Sequence, residues 1–292
     1  MVFSFLKKRS NKGSGEKSLE EILLDKNNIP PLEVVVGLNE EGEAVTYNLA
    51  TAPHLLTAGN VDSGVQESIN AMYLTMMEQN SPDDLRLIVI DPKVAIFTSY
   101  NKSPFMYSDV VTDPEKALGA FHNLVEEMEA RSKLFDELRV RNIEAYNNKV
   151  SSEQQKPRLV LFVNEVADLM QTHGDKIEEA MSRLGEKARS VGITIHVNTY
   201  LPKADVIKGK LKANLPSQIA FKLNSALESD LVLGEKGAEH LIGQGDAYVK
   251  WADSDKLIRV KGIQLSEKET NSIIDSTVNK YPDEKYYNRI EF

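Results

Sequence analysis

Three short stretches of this chain, HLLTA at residues 54–58, LRLIVI at 85–90 and RLVLFV at 158–163, are rich in Leu, Ile and Val and largely lack the polar alternation of a half-wet strand, and ITIHVNT at 193–199 reads as a fourth buried strand beside them. A strand with one face in water alternates apolar and polar residues, whereas a near-continuous apolar run marks a strand covered on both faces. Segments of helical period lie between them. That alternation predicts an α/β fold with a mainly parallel sheet and helices on both faces. Loops at the carboxyl ends of such strands hold ligands, so Gly59, Asp91, Asn164 and Thr199 are the positions to watch.

The rest of the chain fills in around these strands. LEVVVGL and AVTYNL, separated by Asn39, Glu40, Glu41 and Gly42, predict a hairpin. Val65 to Gln79 predicts a helix with Ile69, Met72, Tyr73 and Met76 on one face. A long helix opens at Asp113 and Pro114, an N-cap and first-turn pair, with Ala117, Phe121, Leu124 and Met128 on its apolar stripe. A further helix is expected over Ile177 to Val191. SQIAFKL, DAYVKW and LIRVKGI predict more strands. Ser266 to Val278 predicts a closing helix whose Ser266 and Glu269 form a capping box.

Composition narrows the chemistry. The 292 residues carry 35 Lys plus Arg against 44 Asp plus Glu, a net charge of −9, so a wholly basic surface is excluded while a local basic track is not. There is no cysteine, which removes disulfides and thiolate chemistry. The five histidines, at 54, 122, 173, 196 and 240, show no metal-ligand spacing; no metal site is expected, and His196 inside a strand reads as a core or rim residue. No apolar run approaches the roughly 20 residues of a membrane helix, so no integral membrane association is expected and a cytoplasmic location fits. Residues 1–17 read as a flexible basic tail and 18–29 as a short leader helix and linker. Residues 30–292 read as a single core with the hairpin at its start. Within the tail, Lys7, Lys8 and Arg9 follow Phe3, Phe5 and Leu6.

The turn after the first buried strand reads AGNVDSGVQES. Gly59 and Gly64 stand five apart between a strand and a helix, the glycine skeleton of a phosphate-binding loop. Around it the chain resembles the motor domain of the FtsK/SpoIIIE family of double-stranded DNA translocases, from about Pro30 onward. The resemblance is carried by PHLLTAG, IDPK (Asp91 to Lys93), VVTDPEKA, EMEARSKLF with VRNIEAYN, NEVADLM (Asn164 to Met170), IKGKLKANLP (Ile207 to Pro216) and LGEKGAEHLIGQGDAYV. It implies a RecA-like P-loop NTPase fold that assembles into hexameric rings around DNA.

The departures are as informative. The resemblance places the family's phosphate-loop lysine on Val65 and its magnesium-binding hydroxyl on Gln66. Lysine neutralises the β- and γ-phosphates and the hydroxyl holds the cation; valine and glutamine do neither. Asp62 stands where the family has glycine, and a carboxylate roughly 5 Å from a phosphate charge costs about 3 kcal/mol at an effective dielectric near 20. The family's Asp-Glu pair reads Asn164-Glu165, leaving Glu165 at the water-polarising position but only a neutral oxygen for magnesium. Its Thr-Gln-Arg-Pro strand end reads Thr199-Tyr200-Leu201-Pro202, and its Ser-Arg reads Ser229-Asp230. Gly59, Asn60, Ser63, Gly64, Val65 and Gln66 are therefore expected to form a vestigial loop, with Asn164 and Glu165 as vestigial catalytic positions.

Lys203, Lys208, Lys210 and Lys212 against Asp205 give residues 203–212 a local charge of +3. In the family the similar segment faces DNA in the central channel, so these four lysines are the expected contacts to a duplex backbone. The sequence therefore predicts an ATPase-inactive protein without cofactor that binds DNA irrespective of sequence, as a homo-oligomeric ring or filament. Two alternatives stay open: a divergent ATP- and magnesium-driven translocase, or a regulator that caps an active FtsK-type ring. The short region ahead of the hairpin and the few residues after the closing helix leave no room for the accessory and winged-helix modules of typical relatives, so sequence-guided translocation is not expected.

Overall fold

The computed structural model describes residues 30–52, 54–93, 97–207 and 209–292. The expectations for residues 1–17, residues 18–29 and Lys208 lie outside the described residues. Nine strands form one sheet: β1 Glu33–Leu38, β2 Ala44–Asn48, β3 Leu55–Ala58, β4 Leu85–Ile90, β5 Arg158–Val163, β6 Ile193–Thr199, β7 Ser217–Phe221, β8 Asp246–Lys250 and β9 Leu257–Lys261. Their order is β2-β1-β9-β8-β7-β3-β6-β5-β4. The block β7-β3-β6-β5-β4 is parallel throughout. From β7 the sheet continues antiparallel through β8, β9, β1 and β2.

The apolar runs are explained by two cores, one on each face. Along β5, Leu159, Leu161 and Val163 enter the core under helices α2 (Pro114–Leu138), α3 (Ile143–Asn147) and α4 (Val166–Lys187). Val160 and Phe162 enter the opposite core, beneath α1 (Val65–Gln79), the β1 strand and the closing helix Glu267–Lys280. A period of two is present, but both phases are apolar because both faces are covered. The helix ends follow their caps. The Asp113 carboxylate accepts from the N–H groups of Glu115 and Lys116 at 2.9 and 3.1 Å, with Pro114 in the first turn. Ser266 and Glu269 make the reciprocal capping box.

One helix departs from expectation. The segment expected over Ile177 to Val191 is helical from Val166 to Lys187, with a break at His173 (φ −134°, ψ 23°). The break and the following Gly174-Asp175 restart the periodic pattern, which hides the first turns in sequence. At the far end Gly192 (φ +80°) reverses the chain, and the Ile193 N–H donates to the Ala188 carbonyl at 2.8 Å, so residues 188–191 form the closing turn instead. No described helix is long and apolar enough to cross a membrane.

Candidate functional site

Parallel pairing of β3, β6, β5 and β4 brings Gly59, Thr199, Asn164 and Asp91, each the residue at or just past a strand's carboxyl end, to one edge of the sheet. The loop after β3 is a 3-10 turn over Val61–Ser63, followed by Gly64 at φ +81° and then α1. Several of its polar groups are turned into the protein. The N–H groups of Gly59, Asn60 and Ser63 donate to the carbonyls of Thr199, Lys222 and Asn60 at 3.3, 2.9 and 2.9 Å. Ser63 Oγ donates to the Asn60 carbonyl at 2.6 Å.

Both glycines are required by packing. A Cβ on Gly59 would lie 2.6 Å from Phe221 Cβ, and one on Gly64 would lie 2.4 Å from the Gly245 nitrogen. The segment Gly243-Gln244-Gly245, all three residues at positive φ, lies against Gly64 from one side. Gln264 lies beside it and holds the loop, its Nε2 donating to the Gly64 carbonyl at 3.1 Å and to Ser68 Oγ at 2.7 Å. Val65 is 0% exposed and belongs to the core beneath α1, and Gln66 is half-buried. A cavity of about 490 Å³ beside the loop is lined by Asp62, Glu67, Gln244 and Gln264, with Lys261 the one cation among the described residues that line it.

At the neighbouring strand ends the polar groups saturate one another. Asn164 Nδ2 donates to Asp91 Oδ1 at 3.0 Å. Asn164 Oδ1 accepts from Asn198 Nδ2 and from the Tyr200 hydroxyl, both at 3.0 Å. An amide oxygen has two lone pairs, so this one is fully used. Burial raises the Tyr200 phenol above its usual range, so the hydroxyl keeps the proton that it donates to Asn164. Glu165 is 0% exposed, at φ +57° as the N-cap of α4. Its Oε1 accepts from Thr199 Oγ1 at 2.9 Å and from the Ala167 N–H at 3.3 Å, and its Oε2 accepts from the Tyr200 N–H at 3.2 Å. Lys93 lies 3.7 Å from Glu165 and 3.9 Å from Asp168, so this nearby cation already faces two carboxylates.

Behind Asn198 the network runs into the core. Thr57 Oγ1 donates to Asn198 Oδ1 at 2.9 Å and meets His196 Nε2 at 3.0 Å, while the Tyr73 hydroxyl meets His196 Nδ1 at 2.9 Å. With the proton assigned to Nε2, every donor points the same way: Tyr73 to His196, to Thr57, to Asn198, to Asn164, to Asp91. Burial pushes the His196 imidazole down to about 3, which keeps it neutral as this chain requires. The sequence signal was the polar period of two inside a buried strand, Thr194, His196 and Asn198, all on the face opposite Ile193, Ile195 and Val197.

Magnesium and a nucleoside triphosphate do not fit these residues well. The loop offers no cationic side chain at Val65 and no hydroxyl at Gln66, and Asn164 has no lone pair left for a cation. Among the described residues no group of three or more His, Asp or Glu side chains is disposed to hold a metal ion. Ser229 is buried, donating to the Glu235 carbonyl at 2.8 Å and accepting from the Ala238 N–H at 3.1 Å, while Asp230 is exposed. Of the lysines singled out in sequence, Lys203 and Lys210 are exposed. Lys212 is half-buried and donates to the Leu231 carbonyl at 2.7 Å, its ammonium lowered by burial.

The architecture, a parallel block with a glycine loop opening a helix at its carboxyl edge, is that of a RecA-like P-loop NTPase. The TcpA conjugation coupling protein of pCW3 superposes with a TM-score of 0.74 at 24% identity, over 84% of this chain and 70% of that one. The cytoplasmic domain of the type VII secretion ATPase EccC of Thermomonospora curvata does so at 0.76 and 21%, over 90% and 34%. The chain belongs to the FtsK/SpoIIIE family, whose model matches residues 23–204. It is 41% identical over 251 residues to the DNA translocase FtsK of Streptococcus agalactiae serotype V, covering 83% of this chain and 31% of that protein. The Campylobacter jejuni FtsK is 39% identical over 262 residues, covering 88% and 28%. The chain thus spans about a third of the length of these relatives.

Proposed function

We propose that this protein is a non-hydrolysing member of the FtsK/SpoIIIE family that binds duplex DNA through its phosphate backbone and works as an assembled structural or regulatory protein. The observation that carries the reading is Val65. The position next to Gly64 holds a side chain with no exposed surface, packed under the loop, where hydrolysis needs a cation reaching over it. The acids Asp62 and Glu67 in the adjoining cavity reinforce it, since they repel a phosphate. The relatives named DNA translocase supply the DNA, and residues 30–292 are read as the single unit that engages it.

Assembly has its own support. The four exposed large apolar residues among those described are Val61, Leu201, Leu227 and Ile242. They follow β3, β6 and β7 or precede β8, so all lie at the carboxyl edge of the parallel block. We take this shared edge as the surface that another protein covers. Further copies of this chain make it a ring or filament; subunits of an active homologue make it a cap. A pull-down with the active homologue separates these.

DNA binding is expected to weaken steeply with salt and to be indifferent to sequence, because counterion release adds about 0.9 to the log–log slope per neutralised phosphate. Lys203→Ala with Lys210→Ala is expected to reduce that slope by about 2. A matched chain lacking residues 1–17 controls for Lys7, Lys8 and Arg9. Loss of binding on tail deletion, with normal binding by the lysine double variant, would show that the loop at 203–212 does not face DNA.

A further inference from the structure

We infer that Tyr200 and Asn164 are a matched pair, in which the phenol hydroxyl occupies the acceptor that a cation would use and so makes this strand edge complete without metal. The inference rests on reading the site as non-hydrolysing. It adds that the two departures from the family pattern depend on one another. An asparagine at 164 alone would leave one lone pair of a buried amide oxygen unsatisfied, since Asn198 takes only one. A tyrosine at 200 supplies the missing proton at 3.0 Å.

The backbone of Tyr200 strengthens the pairing. Its N–H donates to Glu165 Oε2 at 3.2 Å, so the residue is fixed against both members of the Asn164-Glu165 step at once. Asn164 is equally constrained on its other side. Its Nδ2 donates to Asp91, and an aspartate at 164 would replace that donor by a second carboxylate about 3 Å from the first. A divalent cation would relieve that repulsion, but only if the hydroxyl of Tyr200 gave up its place. The directional relay behind Asn198 supports the same conclusion, because it runs from Tyr73 to Asp91 through both the carbonyl and the amino group of the Asn164 amide.

Two measurements test the pair, and neither involves nucleotide. The first is a double-mutant cycle in thermal unfolding with Tyr200→Phe and Asn164→Ala. Tyr200→Phe is expected to lower the midpoint by about 3 °C in the wild-type chain and by less than about 1 °C when Asn164→Ala is already present. Equal shifts in the two backgrounds would overturn the pairing. The second compares melting in millimolar magnesium with melting in chelator. The wild-type chain and Asn164→Asp are expected to show no magnesium-dependent rise, while Asn164→Asp with Tyr200→Gln rises by about 3 °C. A full rise in Asn164→Asp alone, or none in the double variant, would show that the hydroxyl does not stand in the cation's place. ATP turnover by the wild-type chain would instead sink the non-hydrolysing reading, through a different assay.

Discussion

A chain carrying Val65→Lys and Gln66→Ser is expected to hydrolyse no more ATP than the wild type and to be about 2–4 kcal/mol less stable. Both halves follow from where Val65 sits. Its side chain has no exposed surface and packs with Ile69, Met72 and Phe221 in the core beneath α1. A lysine there loses apolar burial and brings an ammonium to the positive end of a helix dipole, beneath a loop clasped by Gln264. To reach outward it must displace that clasp. Even then Asn164, Tyr200 and Asp230 remain unchanged at the other chemical roles. Turnover at a rate comparable to an active relative would show that the losses outside the loop are immaterial. A melting temperature equal to the wild type would show that the loop opens without cost.

Stability is expected to fall by about 4 kcal/mol between pH 7 and pH 5, from two buried histidines. Burial lowers His196 to about 3 and His54 to about 4, against an ordinary value of 6.5. Below 6.5 the unfolded chain takes up protons that the folded chain refuses, so stability is full above that value and lost as pH falls toward the folded values. Each group contributes about 1.4 kcal/mol per pH unit within that window. His54 Nδ1 accepts from the Ile195 N–H at 3.1 Å, which protonation would forbid. His54→Gln keeps an acceptor there and is expected to retain about half of the pH dependence, measured by denaturant unfolding at both pH values. An unchanged dependence in that variant would remove His54 from the account.

The sheet was legible because the strands of its parallel block are covered on both faces, so Leu85 to Ile90 and Arg158 to Val163 stand out as runs with few polar residues. The caps at Asp113 and Ser266 were legible because the groups that bond lie within three residues. Gly59 and Gly64 were visible, but the neighbours that require glycine there were not. Sequence shows the spacing of a phosphate loop, whereas the need for glycine comes from Phe221 and Gly245, distant in the chain and near in space. Gln264 was invisible for the same reason, since it meets Gly64 across 200 residues. The Asn164 network depends on β6 lying between β3 and β5, a neighbour relation that no local pattern encodes. Glu165 kept its identity, and only the fold brings Thr199, Ala167 and Tyr200 to hold its two oxygens. The lysine segment was legible as charge, while the diversion of Lys212 to the Leu231 carbonyl, 19 residues away, needed the fold.

The most direct measurement of the central claim is magnesium-dependent ATP hydrolysis by the unaltered chain, at saturating ATP, with and without duplex DNA, beside an active FtsK/SpoIIIE relative. The account predicts phosphate release at the buffer background in both conditions, together with no magnesium–ATP affinity in the micromolar range by calorimetry. DNA-stimulated turnover, or micromolar ATP binding, would contradict it.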